Sequence, residues 1–248
     1  MSVEPSPASE GHASASGDRA AQGVTRRQVA VTTGVLVTAW AALTGLLVSA
    51  GEGVEQSTAV TSWDRRITTF IVGHRTPALN QLMRAVTWTG SWIATLGVAI
   101  LVGLFIWRGR LRIIALIVVL AAWFGELVAV TLTKAVVQRP RPPEALRLVV
   151  AHGWSFPSGH TANAVVVFVT AAALMTTFVR QRNARVLTWA LAVLVIALVG
   201  FSRIELGVHW TTDVVTSLVW TTCWLLILIT VLGRLAPRAH GVGHGGTE

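Results

Sequence analysis

The chain is 248 residues long, 53% hydrophobic and only 12% charged, where an ordinary soluble domain carries about 25% charged residues. That excludes a soluble globular enzyme and points to an integral membrane protein of one domain. The formal net charge of +9 does not signal nucleic acid, because the arginines gather in short segments between apolar runs, as membrane orientation requires.

Residues 1–24 are rich in Ser, Ala, Gly and Glu, show no apolar periodicity and read as a disordered cytoplasmic tail; residues 236–248 read as a second such tail. Residues 25–235 form the membrane domain, without internal repeat. It holds six apolar runs long enough to cross a hydrocarbon core, a crossing that takes roughly 20 helical residues. They extend from Val29 to Ala50, Trp88 to Trp107, Ile113 to Thr133, Thr161 to Val179, Val186 to Phe201 and Asp213 to Leu232. The expected fold is all-α, a polytopic membrane helix bundle with six transmembrane helices, the fifth being the shortest. Thr25-Arg26-Arg27, the first run and Val48-Ser49-Ala50 also resemble a cleavable signal peptide, an alternative that leaves the later topology unchanged. The segment from Trp63 to Val72, with Asp64, Arg65, Arg66, Phe70 and Ile71, reads as a short amphipathic helix along the outer interface, or else as a surface loop. Trp63, Trp88, Trp107 and Trp210 lie near the interfaces, as an aromatic belt requires. Cys223 is the single cysteine and sits in the sixth run, which excludes an intramolecular disulfide framework and a thiol metal cluster.

Arginine placement sets the orientation. Arg26 and Arg27 precede the first run, Arg108, Arg110 and Arg112 follow the second, Arg180, Arg182 and Arg185 follow the fourth, and Arg234 and Arg238 follow the sixth. All fall on one side, so both termini are expected in the cytoplasm and the remaining loops outside.

Three polar clusters occupy those outside loops, at the edges of apolar runs where charge is costly unless it has a use. Asp213 follows His209 by four residues, one helical turn, so the two side chains are expected on a shared face. A carboxylate there can fix the imidazole tautomer and stabilise the cation formed after nucleophilic attack; the alternative is a helix cap without catalysis. Arg203, Lys134 and Arg141 come to the same edge, and forked guanidinium donors with an ammonium suit the non-bridging oxygens of a phosphoryl group. Lys134 is the only lysine in a chain that otherwise uses arginine. Ser158, Gly159 and His160 precede the fourth run, where helix-start amides suit an anion and a histidine can protonate a leaving oxygen. The alternative for that tetrapeptide is a serine cap with an incidental histidine.

Lys134-x6-Arg141-Pro142, Pro157-Ser158-Gly159-His160 and Ser202-Arg203-x5-His209-x3-Asp213 resemble, in order, spacing and placement, the three signature motifs of the type 2 phosphatidic acid phosphatase (PAP2) family, whose wider superfamily includes vanadium haloperoxidases. The likeness is strong from Lys134 to Asp213. It is weaker upstream, at Asp64, Arg75-Thr76-Pro77 and Thr89-Gly90-Ser91, which resemble bacterial membrane members. The resemblance implies that His209 forms a phosphohistidine, Asp213 orients it, and His160 protonates the leaving group and later activates water. It implies that Lys134, Arg141, Ser158, Gly159 and Arg203 hold the phosphate. It implies no metal or other cofactor, and the sequence offers no carboxylate or cysteine cluster for one.

The expected function is release of inorganic phosphate from a lipid phosphate or diphosphate at the outer leaflet of a bacterial plasma membrane. Undecaprenyl diphosphate, phosphatidylglycerol phosphate and phosphatidic acid are the substrates the resemblance implies. A lipid phosphotransferase using the same site and a non-catalytic binding or scaffold protein are the alternatives. Glu126, inside the third run, is expected to pair within the bundle. Arg139 is open between a second phosphate and lipid headgroups. His152 and Trp154 belong to a loop over the substrate, His240 and His244 to an inert tail, and the oligomeric state is not legible.

Overall fold

A computed structural model of the protein describes residues 26–97, 100 and 112–233. The two tails, Trp107, Arg108, Arg110, Arg234, Arg238, His240 and His244 lie outside the described residues. The elements are α1 (Arg26–Gln56), α2 (Thr58–Gly73), α3 (Pro77–Trp88), α4 (Arg112–Val137), a 3-10 turn at Glu144–Leu146, α5 (Gly159–Phe178), α6 (Arg182–Glu205) and α7 (Thr211–Gly233). Among the described residues there is no strand. Among the described residues, five helices are long and apolar enough to cross a membrane: Arg27–Gln56, Val119–Val137, Gly159–Phe178, Arg182–Glu205 and Thr211–Val231.

The expected second span is where the helices depart most from the expectation. Trp88 ends α3 and does not begin a crossing helix. A turn at 89–91 breaks the helix, residues 92–97 resume it, and the rest of that run lies outside the described residues. Ser91 Oγ accepts from Ala94 N at 3.3 Å, which starts the new segment with a serine cap. The fifth span also differs. As α6 it reaches from Arg182 to Glu205 and is not short, because its charged ends remain helical although they carry no apolar signal.

Local chemistry sets the other boundaries. Gln138 has φ 49°, the left-handed conformation that closes a helix, and Pro140 follows, so α4 cannot continue. Thr76 Oγ1 accepts from Leu79 N at 3.2 Å, and Pro77 stands at the first position of α3, a residue with no amide to satisfy there. Between Trp63 and Val72 the chain is helical, within α2. Asp64 and Thr68 are buried while Trp63 and Phe70 are exposed. The outward face thus mixes these aromatics with Arg65 and Arg66, a composition that suits a membrane interface.

The main core joins Leu47 of α1, Ala122 of α4, Val165 of α5, Val199 of α6 and Trp224 of α7 around the fully buried Phe156. A smaller cluster of Met83, Leu206 and Val208 supports the turn between α6 and α7. Connectivity brings the carboxyl ends of α4 and α6 and the amino ends of α5 and α7 to one end of the bundle. The carboxyl end of α1 is there too, because Glu55 Oε2 lies 3.3 Å from Arg139 Nε. With 31 residues α1 is about 46 Å long, so Arg27 stands at the opposite end, as do Arg180, between α5 and α6, and Arg182 and Arg185 in the first turn of α6.

Candidate active site

At the shared helix ends, the turn from Arg203 to Asp213 is the most constrained segment. The amides of Val208 and His209 both donate to Arg203 O, at 3.1 and 3.2 Å. Gly207 has φ +71°, a conformation natural to glycine, and an added Cβ would collide with the Leu146 carbonyl. His209 and Asp213 meet, although not as successive turns of one helix, because α7 begins only at Thr211. His209 lies in the preceding turn, and Asp213 reaches back to it. Its Oδ2 accepts from Trp210 N at 2.9 Å and lies 3.3 Å from His209 Nδ1. The first contact is one half of a capping box, so the cap and the histidine contact are made by the same oxygen.

On the other side of the ring, Arg141 Nη1 stands 3.1 Å from His209 Nε2 and donates to Val208 O at 2.6 Å. A guanidinium has only donors, so Nε2 is the acceptor and the ring proton belongs on Nδ1, facing Asp213. This tautomer follows from the hydrogen-bond pattern. His209 is buried. Burial, and then Lys134, Arg203, Arg141 and His160 nearby, hold its pKa well below the ordinary imidazole value, so the ring is neutral.

The remaining expected residues line the same place. Lys134 Nζ donates to the carbonyls of Trp154 and Ser155 at 2.7 and 3.3 Å. Arg141 also donates to Gly153 O and His152 O at 2.9 and 3.0 Å. The loop expected over the substrate is thus held by the cations beneath it. Arg203 is buried, donates from Nη1 to Thr87 Oγ1 at 2.6 Å, and leaves its buried Nε without a partner. Among the described residues, Lys134, Arg141 and Arg203 form no ion pair with a carboxylate. Ser158 precedes α5 without capping it through its side chain. Its hydroxyl accepts from Thr161 Oγ1 at 2.9 Å, and its amide donates to Ser217 Oγ at 2.8 Å. Gly159 is the first residue of α5 and His160 the second. The carbonyl of His160 lies 2.8 Å from where a Cβ on Gly90 would stand, so only glycine fits behind it.

One expectation is corrected here. Arg139 faces neither headgroups nor a second phosphate: it is 2% exposed and bonded to Asp213, Asp64 and Thr212. Trp210 donates from Nε1 to Pro140 O at 2.9 Å, and its ring packs 5.7 Å from the Arg139 guanidinium carbon. Trp63 and Trp88 are exposed, as expected. Glu126 is buried and forms no ion pair among the described residues. Sequence reasoning missed Thr87, Ser217, Thr212 and Glu55, since isolated hydroxyls and one acid at a span end carry no spacing signal. Asp64 and Arg139 were visible, as a polar residue in an amphipathic run and as an arginine between motif residues, without a role.

Comparison with known proteins shows what the chain is similar to. The model of the PAP2 superfamily matches residues 110–236. Phosphatidylglycerophosphatase B of Bacillus subtilis is 34% identical over 160 residues, which cover 63% of this chain and 76% of that protein. Among solved structures, a transmembrane PAP2-type phosphatidylglycerolphosphate phosphatase from Bacillus subtilis superposes with a TM-score of 0.66 at 28% identity, covering 79% of this chain and 94% of that one. LpxE of Aquifex aeolicus gives 0.53 at 27% identity, covering 66% and 93%.

Proposed function

The chain belongs to the PAP2 superfamily, and from that premise we propose that it hydrolyses the phosphate monoester of a membrane lipid through a phosphohistidine at His209, with phosphatidylglycerol phosphate as its first candidate substrate. That it is a membrane phosphatase acting on lipid phosphate follows from the family and its relatives. The lipid is taken from the names of two relatives, with phosphatidic acid and undecaprenyl diphosphate as the competing substrates.

One observation carries the reading: three cations, Lys134, Arg141 and Arg203, converge without a carboxylate partner around a histidine whose unprotonated Nε2 faces Arg141. Uncompensated charge in a buried place is costly and calls for an anion. A phosphoryl group supplies one, and its transition state is stabilised by such fixed donors.

In the first step, Nε2 of His209 attacks phosphorus and the bond to the lipid oxygen breaks, with His160 donating the proton that the alkoxide needs. In the second, His160 takes a proton from water, the hydroxide oxygen bonds to phosphorus, and the P–N bond breaks to release phosphate and neutral His209. Asp213 stabilises the positive ring between the two steps. Lys134, Arg141 and Arg203, with the Ser158-Gly159 helix start, hold the oxygens. No metal enters these steps. Loop carbonyls now held by Lys134 and Arg141 compete with substrate for the same donors, so loop and substrate binding are coupled.

The arginine-rich bundle end supports an orientation with the site away from the cytoplasm; we place it at the outer face of a bacterial plasma membrane. The test is phosphate release by purified protein across a panel of the three lipids, with chelator present and with vanadate as a phosphate mimic. Release with phosphatidylglycerol phosphate and its loss in His209→Ala are expected. Activity abolished by chelator would overturn the metal-free mechanism, and activity persisting in His209→Ala would overturn the nucleophile. Transfer of label to a second lipid without free phosphate would make the protein a phosphotransferase.

A further inference from the structure

Behind the His209–Asp213 pair lies a second tier of charge that the reaction scheme does not use. Arg139 Nη1 donates to Asp213 Oδ1 at 2.6 Å and to Thr212 Oγ1 at 2.7 Å, while its Nη2 donates to Asp64 Oδ2 at 2.8 Å. Asp64 in turn accepts from Thr212 N at 3.0 Å through Oδ1, and from the Thr212 hydroxyl through Oδ2. Arg139 Nε lies 3.3 Å from Glu55 Oε2, an ion-pair contact not aligned as a hydrogen bond. Asp64 and Asp213 are fully buried and Arg139 is 2% exposed, so this guanidinium cannot reach substrate.

We infer that Arg139, anchored from behind by Asp64, is a positioning residue that fixes the Asp213 carboxylate so that its second oxygen stays on His209. The two oxygens of Asp213 have divided duties: Oδ1 belongs to Arg139, and Oδ2 to Trp210 N and His209 Nδ1. Rotation of the carboxylate would break the Arg139 bond. Lys134 and Arg141 also act electrostatically on Asp213. Without Arg139, the aspartate is free to turn toward those cations, which would neutralise the phosphate-holding charges and release the imidazole at once. A planar fork can bond two carboxylates in different directions where an ammonium cannot do so with the same geometry. Asp64 makes this brace depend on α2, a helix that contributes no group to the reacting centre.

This inference rests on His209 acting as the nucleophile, and the experiment separates the two. Full-length protein with Arg139→Met, Asp64→Asn, both together, or Arg139→Lys is mixed with lipid bearing labelled phosphate, quenched rapidly, and the phosphoenzyme counted per folded molecule. We expect Arg139→Met and Asp64→Asn each to slow phosphoenzyme formation about 10- to 100-fold, as loss of an outer partner does elsewhere. Vanadate inhibition should stay within about threefold of wild type, and the double variant should be no slower than the worse single one by more than about threefold. Arg139→Lys should recover part of the rate. A rate per folded molecule unchanged in the single variants, a loss confined to vanadate affinity or KM, or additive losses would overturn the positioning role. If Arg139→Met is not recovered folded, Arg139→Lys and Asp64→Asn decide by the same criteria. No acid-labile phosphoenzyme in wild type would overturn the nucleophile reading and this one with it; a normal phosphoenzyme with fast variants would overturn this one alone.

Discussion

Asp213 Oδ2 serves His209 Nδ1 at 3.3 Å and Trp210 N at 2.9 Å, so one oxygen begins a helix and orients an imidazole. An amide whose oxygen keeps both contacts turns its NH2 group on Arg139 Nη1 and carries no charge to hold the ring cation, while the opposite orientation sets a donor against both Trp210 N and Nδ1. We expect Asp213→Asn to remain folded and to lose about 10³- to 10⁴-fold in turnover, the scale seen when a comparable aspartate is replaced in a serine protease. Phosphate release from a short-chain lipid phosphate measures it; less than a tenfold loss would contradict the tautomer assignment.

His209 itself is open to spectroscopy. Burial first, then its cationic neighbours, depress its pKa below 6.5. The folded protein therefore keeps a neutral ring where the unfolded chain has taken up a proton. Its stability contribution is complete above about pH 6.5 and is lost as the pH falls below that value. Histidine ¹⁵N NMR in lipid nanodiscs should show a His209 ring that is neutral from about pH 7.5 down to about 5.5, protonated on Nδ1. Titration near 6.5, or a proton on Nε2, would count against the site as described.

Arg203 sets function against stability. Its buried guanidinium has Thr87 Oγ1 as a partner, no carboxylate, and an unsatisfied Nε. Replacing such an unpaired charge with an apolar chain of similar length relieves desolvation. Arg203→Met should unfold at a temperature no lower than unliganded wild type, yet bind vanadate at least about tenfold more weakly. A clear drop in thermal stability would mean that the charge is compensated in a way the geometry does not show.

The turn before His209 tolerates no side chain. Gly207 combines φ +71° with a Cβ direction blocked by Leu146 O. Gly207→Ala should cost about 1–3 kcal/mol in backbone strain alone, and more from the clash. Because the same turn spaces Arg203 from His209, activity should fall further than stability. Thermal unfolding and phosphate release on the same preparation test this, and an alanine variant of wild-type activity would refute it.

Much of the architecture was legible because the bilayer imposes one length and one polarity on every span. Val29–Ala50 and Asp213–Leu232 fall inside helices α1 and α7 for that reason. The short interruptions were less legible. The break at 89–91 is polar on only one side of a long apolar run, and hydropathy averages across it. Of the site, Lys134, Arg141, Arg203, His209 and Asp213 carry fixed spacings and could be found. Arg139 could not be placed, since whether an arginine pairs with Asp64 or meets lipid depends on a contact across 75 residues. Trp210 illustrates the same limit: the bond from its indole to Pro140 O spans 70 residues and leaves no spacing signal.

The pairing of Asp64 with Thr212 joins positions 148 residues apart. During synthesis the carboxylate leaves the ribosome long before Thr212, and until then Arg139 is the cation that can pair with it among the apolar helices. The arrival of α7 therefore completes the site and supplies the Thr212 donors that Asp64 accepts besides Arg139. A chain that stops short of α7 would lack Asp213 and leave one arm of the Arg139 fork without its carboxylate, so unfinished molecules would be both inert and less stable.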